Sequence, residues 1–287
     1  MYKTILLVAV VALAPTAYAA LPAPLPDAIF QVESDFDAFT HDHGYTKGFF
    51  TYSAPDAVAF DKQGMVRIHD KLAARLAEDS SEKDAPSKLR WRPYLVAASA
   101  SGDLAYDLGP WTIEDTDRTG WFFTLWKKQA DGNWLWVLDT GAGPADAART
   151  PPPGARETTR IAGSIPDANA LSEVDGLDTA LNAALKTQPA TDLFKKSQFD
   201  YMIIASDAAP PARDKKAALA ALATRPSGLV WTQDGKDIAA DNRFAYTYGH
   251  ASTVDGAYQG HYVRVWVKMG TKPTDWTQSV DLYQSAK

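Results

Sequence analysis

The chain repeats itself, and that repetition limits its architecture more than any other feature. Pro26-Asp27-Ala28 returns as Pro166-Asp167-Ala168, Glu33 and Asp35 as Glu173 and Asp175, and Leu89 and Trp91 as Leu229 and Trp231. Tyr106 and Gly109 return as Tyr246 and Gly249, and Trp126 and Lys128 as Trp266 and Lys268, all 140 positions apart. The spacing widens to 144 where Asp70-Lys71 matches Asp214-Lys215, and becomes 142 where Trp134 and Asp139 match Trp276 and Asp281. Insertions and deletions of this kind collect in loops. A unit this long exceeds the periods of stacked solenoids and is large enough for its own core. The expected organisation is a first domain at 20–141, a Pro-rich linker at 142–165 holding Pro151-Pro152-Pro153, and a second domain at 166–287.

Residues 1–19 read as a secretory signal peptide: Lys3, a short apolar run from Ile5 to Leu13, Pro15, and the small-x-small pattern Ala17-Tyr18-Ala19. The run is too short to span a bilayer. The expected location is therefore periplasmic or secreted, with no membrane association after signal removal. A net charge of −6 argues against nucleic acid as a partner. The absence of cysteine excludes disulfides, thiol nucleophiles, cysteine zinc sites and iron–sulfur clusters. No phosphate-binding glycine loop, nucleophile elbow, HExxH or EF-hand pattern is present, and no cofactor is expected.

Within each copy, helices come first and strands follow. Asp27 is placed to cap a helix carrying Ile29, Val32, Phe36 and Phe39; Leu171, Val174, Leu177, Leu181 and Leu185 form the matching stripe. A short strand at Val58–Phe60, matched by 201–204, precedes a helix at Asp70–Leu76, matched at Asp214–Leu222. Strands are then expected at Leu89–Ala98, Leu104–Ile113, Trp121–Lys128 and Trp134–Leu138, the last two joined by Asp131-Gly132-Asn133. In the second copy His261, Val263, Val265 and Val267 alternate with Tyr262, Arg264, Trp266 and Lys268. The fold class is α+β: two tandem domains, each a curved antiparallel sheet packed on N-terminal helices.

The run DLAYDLGPWTIEDTDRTGWFFTLWKKQADGNWLWVLDTG at 103–141 resembles the C-terminal strands of SnoaL-like proteins in the nuclear transport factor 2-like superfamily. The second copy resembles them more loosely, with Gly270–Thr274 in place of the Asp-Gly turn. The resemblance implies a cone of bent sheet closed by helices, with a cavity at its wide end. It does not single out one chemistry, because the superfamily holds isomerases, cyclases, dehydratases and proteins that only bind or dimerise.

Candidate catalytic residues are Asp139 and Asp281, at matching strand ends, where a carboxyl in an apolar cone can serve as a general base, together with His261. Candidate ligand-binding residues are Trp91, Tyr106, Trp126, Trp231, Tyr246, His250 and Trp266. None of the five histidines repeats: His261 stands at the position of Trp121 and His250 at that of Pro110. Asp37, His41 and His43 cluster without a further ligand, so no metal site is expected. Two readings follow. In one, the protein binds a small apolar or aromatic molecule, or serves as a scaffold whose two domains pair as a pseudo-dimer. In the other, one copy is an isomerase or cyclase using a pocket carboxylate as general base.

Overall fold

The computed structural model describes residues 25–78, 86–147, 149–160, 163–195, 197 and 202–286; the expected signal peptide lies outside them. The first half opens with α1 (Leu25–His43), whose inner face carries Ile29, Phe30, Glu33, Phe36, Asp37 and Thr40. Asp27 lies in the first turn of this helix, where its charge favours the helix dipole, rather than at a cap preceding it. Then come α2 (Tyr45–Tyr52), β1 (Ser53–Asp61), β2 (Gly64–Arg67), α3 (Ile68–Glu78), β3 (Leu89–Trp91), β4 (Leu95–Ala98), β5 (Leu104–Ile113), β6 (Thr119–Lys128), β7 (Trp134–Pro144) and β8 (Glu157–Arg160). The second half comprises α4 (Ala170–Leu185), α5 (Ala190–Phe194), β9 (Ile203–Ser206), β10 (Ala209–Ala212), α6 (Lys215–Ala223), β11 (Val230–Ile238), β12 (Phe244–Ser252), β13 (Tyr258–Lys268) and β14 (Trp276–Ser285). Asp214 caps α6, its carboxylate accepting from the Ala217 amide at 2.9 Å.

The strands make two separate curved sheets, ordered β2-β1-β7-β6-β5-β4-β8 (with β3 also on β5) and β10-β9-β14-β13-β12-β11. The α+β layout is the one the resemblance implies, with one sheet per half and helices ahead of the long strands. The stretch expected as one strand from Leu89 to Ala98 is divided at Arg92–Tyr94, where Pro93 lacks an amide for the ladder. Part of the Pro-rich segment is ordered onto the first sheet, β8 running parallel to β4.

The two sheets share register as well as order. Trp91 lies opposite Trp111 and Trp231 opposite Ala251; Gly109 faces Phe122 and Gly249 faces Tyr262; Thr124 faces Asp139 and Arg264 faces Asp281. The ladder slips at corresponding places, between Leu125 and Trp126 and between Val265 and Trp266. Glycine is required at both 109 and 249, because a Cβ there would sit 1.9 Å from the Arg92 carbonyl oxygen or 2.0 Å from that of Thr232.

One face of each sheet packs on the other. A single apolar core joins Tyr106 and Phe123 of the first half to Phe244, Tyr246, Val263, Val265 and Leu282 of the second. The Tyr106 and Phe244 rings lie 6.1 Å apart. At one end the contacts are reciprocal: the Ala100 amide donates to Asp241 Oδ2 at 2.6 Å, and the Ala240 amide donates to Asp103 Oδ2 at 2.9 Å. Ala100 and Ala240 are 140 positions apart, so this is the near-self-complementary pattern of an isologous interface.

Candidate functional site

On the face of the first sheet turned away from the second, α1 and α2 close over the strands and leave a cavity of about 250 Å³. Its wall is aromatic: Phe36 from α1, Tyr45 and Phe49 from α2, Trp91 from β3, Trp111 from β5 and Phe122 from β6. Phe36 packs edge-on to Phe49 at 4.9 Å and to Trp91 at 4.8 Å, which fixes the rings against one another. Arg118 stands exposed at the rim.

The acidic group in this wall is Asp139 on β7, followed by Thr140. Its Oδ2 accepts from Thr124 Oγ1 at 2.8 Å, which favours the ionised form, but burial among the rings dominates and pushes the carboxyl up to about 7. Tyr45 is 46 % exposed as a residue, yet its phenol end is shut in; that burial, helped by the charge of Asp139, raises the phenol to about 12 and leaves it protonated as a donor. A carboxyl that titrates near neutrality thus shares an aromatic cavity with a neutral phenol.

Two further carboxyls lie beneath the cavity floor. Trp126 Nε1 donates to Glu33 Oε2 and to Asp107 Oδ1, each at 3.0 Å, and Trp91 Nε1 donates to Glu33 Oε1. Both carboxyls accept from the same Trp126 indole, which places them side by side, and Asp107 Oδ2 is buried without a hydrogen-bond partner. Burial holds both above the ordinary carboxyl range, and for Glu33 the neighbouring Asp107 charge adds to it. Sequence reasoning missed this pair. The available signal was an aspartate, Asp107, in the middle of an otherwise apolar strand.

The corresponding place in the second half is filled with charge. Thr247, Arg264 and Asp281 occupy the register positions of Asp107, Thr124 and Asp139. Arg264 is fully buried; Nη1 donates to Asp178 Oδ1 at 2.7 Å and Asn182 Oδ1 at 2.8 Å, and Nε donates to Asp281 Oδ2 at 3.2 Å. Arg225 pairs with the other oxygen of Asp281. Burial alone would raise Asp281, but the charges of Arg225 and Arg264 outweigh it and hold the carboxyl below its ordinary value. Lower down, Lys268 bridges Asp167 and Glu173, each at 2.6 Å.

The candidate residues separate accordingly. Trp91 lines the cavity, Trp126 lies under it, and Asp139 faces it. Tyr106 and Tyr246 face the other sheet instead of a cone: strand alternation sends Asp107 and Tyr106 to opposite sides, and the Tyr106 hydroxyl meets Ser279 Oγ at 3.1 Å. Trp231 packs on Tyr262 and Tyr283, and Trp266 packs with Val174 and Trp276 while donating to Thr247 Oγ1 at 3.0 Å. Asp281 is consumed by its two arginines.

His250 and His261 are register partners across β12 and β13, yet they serve different neighbours. His250 Nδ1 meets the Asp234 carboxylate at 2.9 Å. His261 stacks on Phe60 at 3.8 Å, with Nε2 2.7 Å from Thr140 Oγ1 and Nδ1 3.3 Å from the Tyr258 hydroxyl. Burial lowers His261 to about 3, so its ring is neutral at pH 7. Asp37 is bound by Arg90 at 2.7 Å and by the Trp91 amide at 2.9 Å, while His41 Nδ1 meets the Ser87 carbonyl at 3.1 Å. Among the described residues no group of three or more His, Cys, Asp or Glu is placed to hold a metal ion, and no helix is long and apolar enough to cross a membrane.

No protein-family model and no curated protein matches the chain. Among solved structures it is similar to a nuclear transport factor 2-like protein of unknown function from Shewanella oneidensis MR-1, with 18 % identity over 40 % of this chain and 96 % of that one, at a TM-score of 0.32. It is also similar to a protein of unknown function from Pectobacterium atrosepticum SCRI1043, with 17 % identity over 44 % and 100 % of the respective chains, at a TM-score of 0.33. A nuclear transport factor 2-like protein involved in plasmid conjugation aligns over 90 % of this chain and 96 % of its own, with 10 % identity and a TM-score of 0.25. The chain is thus similar to nuclear transport factor 2-like proteins, and a likeness at these identities and scores assigns it no function.

Proposed function

We propose that the protein is an exported, tandem binding module in which the first cone holds one small aromatic or apolar molecule and the second cone is its fixed structural partner. The observation that carries this reading is the contrast at equivalent positions: an aromatic cavity with a near-neutral carboxyl in one half, and a buried Arg264–Asp281–Asp178 network in the other. A duplication of one domain, followed by loss of one site, accounts for the shared register and the divergent interiors. The paired sheets then act as a built-in pseudo-dimer that covers the face each half would otherwise expose.

Native mass spectrometry of the full-length product recovered from its own host tests this reading. The expected result is a mature chain lacking residues 1–19, monomeric, with one small-molecule adduct that is lost in Leu89→Trp, a change that fills the cavity from β3. An uncleaved chain would overturn export, and a uniformly apo mass together with no binding of aromatic probes would overturn the ligand reading.

A second reading is favoured by one observation, the position of Asp139. A carboxyl titrating near 7 beside the Tyr45 phenol is suited to remove a proton next to a carbonyl while the phenol stabilises the resulting enolate. An enzyme of this isomerase or cyclase type would show a rate that rises through pH 7 and is lost in Asp139→Asn while binding persists.

A further inference from the structure

The second half shows what a cone of this plan can hold. There the Arg264 guanidinium lies over two rings, its Cζ 4.1 Å from the Tyr262 centroid and 5.9 Å from that of Trp231. Its Nε donates to Asp281 Oδ2 at 3.2 Å. The first half keeps the counterparts of all three partners: Phe122, Trp91 and Asp139 occupy the matching places, and all three line the aromatic cavity. What it lacks is the cation, because Thr124 stands where the second half has Arg264. The face of an aromatic ring attracts a cation, and more strongly where water is excluded.

The charges of the two interiors point the same way. Among the described residues, the buried Lys and Arg residues are Arg225, Arg264 and Lys268, all in the second half. The first interior holds Glu33 and Asp107 beneath the cavity and Asp139 in its wall, and among the described residues none of the three is paired with a Lys or Arg. Thr124 engages Asp139 Oδ2, and Oδ1 has no hydrogen-bond partner among the described residues. Arg118 is exposed at the rim, where water screens its charge, and Arg75 acts on the Tyr45 phenol.

Resting on the binding reading above, we infer that the first cone is a site for an organic cation. Its ligand is a small molecule with an aromatic or apolar body and a protonated amine or guanidine, which takes the place that Arg264 fills in the second half, against Asp139 and among Trp91 and Phe122. One half thus carries its cation covalently and the other receives it from solution.

Calorimetric titration with three probes sharing one ring system tests this: 2-naphthylmethylamine, protonated from pH 5 to pH 8, neutral 2-naphthylmethanol, and anionic 2-naphthoate. At pH 8 the amine is expected to bind at least tenfold more tightly than the alcohol, with the acid weakest. The preference for the amine should fall toward one at pH 5, where Asp139, Glu33 and Asp107 are all protonated, and at pH 8 in Asp139→Asn. Thr124→Arg, which tethers a guanidinium as the second half does, should abolish amine binding. Equal affinities for amine and alcohol in the unaltered protein at pH 8, or tighter binding of the acid, would overturn the cation site while leaving the aromatic cavity as a binding site. So would an amine preference that survives Asp139→Asn, or undiminished amine binding in Thr124→Arg. Failure of all three probes to bind would overturn the binding reading and the cation site with it.

Discussion

The two halves share strand order and register, but their interiors handle charge in opposite ways. Glu33 and Glu173 are equivalent in sequence; Glu33 is held by two indoles, whereas Glu173 is held by Lys268 and Trp276. Thr124 and Arg264 are equivalent in register, and that exchange goes with the change of interior. A short hydroxyl leaves room for a cavity and leaves Asp139 above its ordinary pKa, whereas a guanidinium fills the space and draws Asp281 below it. A backbone plan can therefore be kept while the site built on it is replaced.

The largest expected effect comes from breaking the filled half. Arg264→Met leaves Asp178 and Asp281 facing each other in a dry interior and should cost about 3–5 kcal/mol in chemical denaturation, because removing one partner strands a buried charge. A loss below 1 kcal/mol would mean the network does not hold the second half together. Next, Gly109→Ala and Gly249→Ala should each cost about 1–3 kcal/mol by forcing Cβ into a carbonyl oxygen. The two losses should match if the cores are equivalent, and a loss in one alone would separate them.

The halves also differ in their response to pH. Asp139 and the Glu33–Asp107 pair have folded pKa values above their unfolded ones, so the native state binds more protons than the unfolded state at intermediate pH. The stability they give is fully present below about pH 4 and is lost as pH rises toward 7–8. Asp281 has the opposite sign, and its contribution is lost as pH falls through its depressed value. Asp107→Asn should raise stability at pH 8 relative to pH 5 by about 1.4 kcal/mol or more, the equivalent of one pKa unit, as read from denaturation midpoints. Unchanged pH dependence would show that the pair is not buried in its folded form. The smallest effect should come from the half-exposed ion pair Lys127–Asp237, which joins the halves at the surface. Lys127→Ala should cost under about 1 kcal/mol and the loss should shrink with added salt.

How much of this was legible in the sequence depended on distance along the chain. Local pattern placed β5 at its observed bounds, put Val263, Val265 and Val267 on one face of β13, and identified Asp214 as the start of a helix. Because the repeat fixed equivalent positions, Trp91 and Trp231 could be paired before any coordinates. The site was less readable, because its partners come from elements far apart: Asp178 meets Arg264 across 86 positions, and Trp126 meets Glu33 across 93. Strand periodicity says which residues share a face, but not which of two faces will meet another sheet; Tyr106 and Tyr246 went to that interface for this reason.

Site-resolved carboxyl NMR titration of Asp139 and Asp281 in the same sample tests the contrast most directly. One open and one filled cone predict an Asp139 midpoint near pH 7 that shifts when 2-naphthylmethylamine binds, and an Asp281 midpoint below the usual aspartate range that ignores the probe. Midpoints that coincide near pH 4, or a probe response at Asp281, would contradict the account.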